Sequence, residues 1–213
     1  MQRIAVIDYG MGNLRSVSKA LERVAPGDEV VVSSDAAVIG ASDRIVCPGQ
    51  GAARDCMAAL HASGLGQVVL DTVDTRPFLG ICMGLQVLLG HSDENGGVPC
   101  LGVVPGNVTR FDDPLADAGG ARLKVPHMGW SPVRQTREHA LWHGIDDDAR
   151  FYFAHSYVCE PDDDALAVGT CDYGRTFAVA LAYPGFFACQ FHPEKSARDG
   201  LALLANFVGW DGR

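Results

Sequence analysis

Through the first half of the chain, short apolar runs alternate with amphipathic ones. Arg3–Asp8 is an apolar run suited to a buried strand. Residues 14–24 follow with Leu14, Val17, Leu21 and Val24 at helical spacing. Glu29–Ser33 is β-branched and strand-like, Ala36–Ala41 reads as a short helix, and Arg44–Cys47 is a strand running into Pro48-Gly49-Gln50-Gly51. Residues 52–60 and 64–73 carry helical patterns divided by Ser63-Gly64. Pro77–Cys82 is a further buried strand, and Met83–Leu89 opens a helix. Repeated strand–helix alternation predicts right-handed crossovers and a parallel sheet covered on both faces.

From about Gly96 the pattern turns strand-like and rich in turns. Strands are expected over Asn107–Phe111, Arg122–Val125, Arg150–Val158, Leu166–Asp172, Thr176–Tyr183 and Phe186–Phe191. Asp172-Tyr173-Gly174 and Pro184-Gly185 separate the last three and predict antiparallel hairpins. A closing amphipathic helix is expected over Ser196–Val208, with Leu201, Leu204, Ala205 and Val208 on one face. There is no internal repeat and no composition shift that would mark a linker. The expectation is one α/β domain over residues 1–213, with a mixed, mostly parallel central sheet flanked by helices and antiparallel additions in the second half.

Composition narrows the function. The chain has 213 residues, 47% of them apolar and 20% charged, enough to bury a sizeable core. Its 26 acidic and 17 basic residues leave a formal charge of −9. A negative surface repels phosphate backbones and anionic lipid, which argues against nucleic acid or membranes as main partners. The first charge after Arg3 comes at Asp8, too soon for a signal-peptide core. The apolar stretch Phe177–Cys189 is broken by Pro184-Gly185 and is too short to span a bilayer. Seven cysteines without a Cys-x-x-Cys pair read as reduced thiols of a cytoplasmic protein, and no metal or cofactor is implied.

One cysteine stands apart. Gly80-Ile81-Cys82-Met83-Gly84 joins a predicted strand to a predicted helix, the geometry of a nucleophile elbow with sulfur in place of a hydroxyl. The glycines free the strained turn from side-chain clashes. The helix start favours the thiolate, and the Met83 N–H points where an oxyanion would form. Taken alone, the motif equally fits a buried cysteine in an ordinary turn. A thiol nucleophile needs a base, and a base needs an orienter. Phe191-His192-Pro193-Glu194 follows a predicted strand, so His192 would reach Cys82 at the sheet's carboxyl edge while Glu194 sets its tautomer. By itself this segment also fits a surface histidine ending a strand. Gly49-Gln50-Gly51 could offer further N–H donors, or be a plain strand-to-helix turn.

Together these segments resemble the triad-type, class I glutamine amidotransferases. The resemblance implies that Cys82 attacks the side-chain amide of glutamine, His192 acts as general base and acid, and Glu194 orients it. It implies that Gly49, Gln50, Gly51 and Met83 form the oxyanion loop, and that Gln86, His155, Ser156 and Tyr157 hold substrate. Asp8–Val17, Pro126–Trp130, Tyr152–Tyr157 and Gln190–Ser196 further resemble the glutaminase subunits of imidazole glycerol phosphate synthase. That likeness implies a heterodimer with a separate (β/α)₈-barrel cyclase subunit. The cyclase uses the released ammonia to make imidazole glycerol phosphate and aminoimidazole carboxamide ribotide in histidine biosynthesis. The family places Asn13, Trp130, Tyr152 and Lys195 at the partner interface. Read without it, the aromatics fit core or rim positions and Lys195 a solvated charge. Gln50 stands where many relatives carry an apolar residue, and Ser131 where they often carry asparagine. The alternatives are a glutaminase for another acceptor, such as a pyridoxal phosphate synthase, and a non-enzymatic module. The Asp8–Val17 segment argues against the first; retention of both Cys82 and His192 argues against the second.

Overall fold

The computed structural model describes residues 1–213. The first half alternates as the pattern predicts: β1 (Arg3–Ile7), α1 (Leu14–Val24), β2 (Glu29–Ser33), α2 (Ala36–Gly40), β3 (Arg44–Gly49), α3 (Ala53–Ser63), α4 (Leu65–Thr72), β4 (Phe78–Cys82) and α5 (Met83–Gln86). The strands pair in parallel in the order β2-β1-β3-β4. β3 and β4 are buried along their whole length, which is why they read as unbroken apolar runs. Side chains start the first helices: the Asn13 carbonyl accepts from Ser16 N, and Asp35 accepts from Ala37 N at 2.8 Å.

The second half supplies β5 (His91–Ser92), β6 (Val98–Pro99), β7 (Gly106–Arg110), a separate two-stranded ribbon of β8 (Leu115–Ala116) and β9 (Arg122–Leu123), then β10 (His127–Gln135), β11 (Ala149–His155), β12 (Tyr157–Pro161), β13 (Ala167–Asp172), β14 (Thr176–Tyr183), β15 (Phe186–Cys189) and α6 (Ala197–Gly209). β15 adds to β4 in parallel and so brings its carboxyl end beside that of β4. β14 pairs antiparallel with β13 and β15, as the two turn signals predict, and also with β12. The result is one mixed sheet with apolar cores on its two faces. One core lies under α1 and α6, the other under α2, α3 and α4. No helix is long and apolar enough to cross a membrane.

Four local expectations need correction. The helix after Cys82 ends at Gln86 instead of Leu89. The carbonyls of Val87, Leu88 and Leu89 turn outward to accept from Leu101, Val104 and Gly102 N at 2.8–2.9 Å. Arg150–Val158 is two strands broken at Ser156, because β11 pairs with β10 while β12 turns to β7 and β14. β10 is a strand the pattern does not announce: Gly129 and Pro132 interrupt its alternation, and its rungs from His127↔His155 to Val133↔Ala149 hold it. The closing helix buries Gly200, Leu203, Leu204 and Phe207, leaving Ala205 exposed. The larger surface of Leu203 and Phe207 sets that face.

Candidate active site

Cys82 ends β4 at φ 56° and ψ −109°, a left-handed conformation that a non-glycine residue adopts only where its surroundings impose it. The two glycines make it possible. A methyl group on Gly80 would lie 2.6 Å from the Gly84 carbonyl oxygen and 2.8 Å from the Ala188 side chain. A methyl on Gly84 would collide with the Cys47 carbonyl oxygen. The turn is therefore wedged between β3 and β15, and it presents the sulfur to a cavity of about 390 Å³. Gln50, Gly51, Met83, Gln86, Glu94 and His192 are among the lining residues.

His192 stands three residues past the end of β15. Its backbone N–H donates to Tyr152 O at 2.9 Å, and its carbonyl accepts from Ser196 Oγ at 2.7 Å, so the ring is hung from β11 and the start of α6. Its Nδ1 meets Glu194 Oε1 at 3.0 Å, with the two side chains only 3% and 1% exposed. That leaves Nε2 for the cavity and for Cys82. Burial alone would push the imidazole's pKa down. The hydrogen bonds and charges of Cys82 and Glu194 outweigh burial and raise it to about 9. His192 therefore carries a proton at neutral pH. The other carboxylate oxygen, Glu194 Oε2, is buried without a partner.

The segment expected to form an oxyanion loop reaches the cavity only in part. Gly49 is the last residue of β3, paired with Cys82, while Gln50 and Gly51 line the cavity. Gly51 has a φ of 105°, and the Gln50 carbonyl accepts from Cys56 Sγ at 3.5 Å. Gln86 lines the cavity, but its Nε2 is committed to Gln190 Oε1 at 2.8 Å and Tyr157 O at 3.5 Å. Its own Oε1 remains the atom that can face a ligand. His155, Ser156 and Tyr157 form the opposite wall at the β11–β12 break. Burial pushes the His155 imidazole down to about 3, so this ring is neutral at physiological pH.

The expected interface residues also gather. Trp130 and Tyr152 are cross-strand partners on β10 and β11, with ring centroids 6.1 Å apart. Lys195 Nζ stands 5.9 Å over the Tyr152 ring and lines the cavity. Trp130 and Met128 are exposed, at 46% and 64%. Asn13 caps α1, which packs beside the Pro193–Lys195 turn. Two residues at the site carried no sequence prediction. Glu94 lines the cavity while its Oε2 accepts from Ala53 N at 2.5 Å. The Gln190 side chain donates to Cys82 Sγ at 3.6 Å.

The chain matches the description "Glutamine amidotransferase class-I" over residues 5–209. It belongs to that family. Its curated relatives include "Imidazole glycerol phosphate synthase subunit HisH" of Dechloromonas aromatica, 61% identical over 98% of this chain and 97% of the relative. The protein of the same name from Aromatoleum aromaticum is 56% identical over 99% of both chains. At that identity over full length, the chain falls among the HisH glutaminase subunits of imidazole glycerol phosphate synthase, enzymes of histidine biosynthesis. Solved structures share the fold. A putative GMP synthase protein from Thermoplasma acidophilum superposes with a TM-score of 0.70 at 20% identity, over 98% of this chain and 93% of that one. PurLQS from Thermotoga maritima gives 0.67 at 15% identity, over 98% and 99% of the two chains.

Proposed function

We propose that Cys82, His192 and Glu194 hydrolyse L-glutamine to glutamate and ammonia, and that the ammonia passes to a cyclase barrel bound at the Trp130–Tyr152 face. The observation that carries this reading is the strained sulfur sharing one cavity with an imidazole that a buried carboxylate orients. The sulfur bonds to the amide carbon, and the carbonyl electron pair moves onto oxygen toward the Met83 N–H and the Gln50–Gly51 peptides. His192 Nε2 gives its proton to the departing nitrogen, and ammonia leaves behind a glutamyl thioester. The now neutral imidazole takes a proton from water, which cleaves the thioester and frees Cys82.

Glu94 is the one carboxylate that lines the cavity and suits the α-ammonium of the substrate. Free ammonia protonates in water and loses its nucleophilicity, which supports direct delivery to a docked cyclase over release. Met128 and Lys195 line the cavity, and Tyr152 and Trp130 pack next to Lys195; this apolar, aromatic and cationic face supports placing that partner there. The continuous sheet supports treating residues 1–213 as one amidotransferase domain. Seven free cysteines suit a reducing, cytoplasmic setting.

In the complex with the cyclase, Cys82→Ala is expected to abolish glutamine-dependent synthesis while leaving ammonia-dependent synthesis and assembly intact. Glutamine-dependent turnover by that variant would refute the triad.

A further inference from the structure

We propose that Gln190 is a working part of the reaction centre: its side-chain amide holds the Cys82 sulfur in place for attack and ties it to Gln86 in the substrate wall. Gln190 is 1% exposed at the end of β15, flanked by Cys189 and Phe191, where an apolar side chain would pack at no polar cost. Its amide is paired instead. Gln86 Nε2 spends its hydrogens on two carbonyl-type oxygens, Gln190 Oε1 at 2.8 Å and Tyr157 O at 3.5 Å. Gln190 Oε1 is therefore the acceptor, and its NH₂ end is the one that meets Cys82 Sγ at 3.6 Å. The backbone is pinned as well, since Gln190 N donates to Val179 O at 2.8 Å. Tyr157 O also accepts from His155 Nδ1 at 2.7 Å, so the same chain of bonds runs into the substrate wall.

The chemistry follows from the direction of that bond. An N–H aimed at sulfur favours its anion and limits its rotation before substrate arrives. Once sulfur bonds to the amide carbon its charge is gone, and the oxyanion forms elsewhere, so Gln190 acts on the free nucleophile. Its loss is therefore felt toward any electrophile, including one that does not resemble glutamine.

This rests on Cys82 being the nucleophile, and the experiment separates the two claims. The full chain is alkylated with iodoacetamide across pH 5–9, and the rate at Cys82 is read by peptide mass alongside a thermal melt. Wild-type alkylation is expected to fall on Cys82 ahead of the other six cysteines. Without that preference the nucleophile assignment fails and takes this inference with it. Given that preference, Gln190→Leu is expected to slow Cys82 about tenfold near pH 7, with the gap closing as pH rises. Gln190→Glu keeps the volume and the bond from Gln86 but turns an acceptor toward sulfur, so it carries the test where the leucine variant fails to fold. It is expected to be slower still at pH 8 and to approach wild type as acid protonates the new carboxyl. Folded variants that alkylate at the wild-type rate across the range would overturn the proposal and leave the triad standing.

Discussion

The pair His192–Glu194 sets the charge on which the site depends. The imidazole is buried, and burial favours its neutral form; only the sulfur and the carboxylate hold the proton on it. Glu194→Gln removes one of those two supports while keeping the shape. The basic limb of the pH–rate profile, expected near pH 9, should move toward neutrality, and kcat should fall by about 10²–10⁴-fold. A profile measured in the cyclase complex that kept its basic limb in place would show that Glu194 does not set the proton's affinity. Cys82, His192 and Glu194 were legible because each lies in a contiguous motif whose glycines or proline have a steric purpose. Gln190 was visible as a polar residue inside an apolar strand end, which is the signal that should have singled it out. Glu94 offered none. It sits in a loop, and only the short β5–β6 pairing brings it to α3 and the cavity.

At the scale of elements, α6 shows how a helix is held from outside its own sequence. Its first turn stands on Ser196, which fixes His192 and Tyr152, and its last turn has no basic residue of its own. The terminal carbonyls are met from the far end of the sheet. Arg44 Nη1 donates to Phe207 O at 3.0 Å and to Trp210 O, while Gln2 Nε2 donates to Val208 O at 3.0 Å. Arg44→Ala would leave those carbonyls without the charged donor. The expected loss is about 2–3 kcal/mol, or a melting temperature lower by about 5–10 °C. Calorimetry should find it with kcat unchanged below the transition, because Arg44 lies at the end of α6 remote from Cys82. An unaltered melt would mean that water replaces the guanidinium at no cost. The parallel half of the fold was legible because β1, β3 and β4 are buried on both faces and its helices repeat at a clear period. β10 was not, for Gly129 and Pro132 erase its alternation and its order comes from the pairing with β11. The split at Ser156 was hidden too: the polar pair His155-Ser156 interrupts the run there, but two polar positions do not say that the chain changes partners.

Across the whole molecule, four histidines, His127, His139, His155 and His192, divide into two groups of opposite sign. Burial pushes His127 down to about 4. Burial, with Arg137 nearby, pushes His139 to about 4, and His155 lies near 3. In the unfolded chain these rings take up protons near pH 6.5, whereas the folded protein refuses them until about pH 4 or below. Stability should therefore fall as pH drops below 6.5, by ~1.4 kcal/mol per pH unit for each ring involved. His192 runs the other way. Its raised pKa of about 9 means that its contribution is fully present below pH 6.5 and is lost as pH climbs through 9. Denaturant melts between pH 5 and 9 should thus show a maximum near pH 6.5, and His192→Gln should flatten the alkaline side alone. A stability that rose steadily from pH 6.5 to 5 would contradict the neutral state of His127, His139 and His155. That neutrality also serves the chemistry. His127 Nδ1 lies 3.0 Å from His155 Nε2, and His155 Nδ1 lies 2.7 Å from Tyr157 O. Since that carbonyl can only accept, His155 donates to it, and His127 must donate to His155. The direction of the chain is fixed only while both rings are uncharged. A proton on His155 would place a second cation beside His192 and lower its pKa, which would leave less of the imidazolium that the proposed mechanism uses to protonate the departing nitrogen.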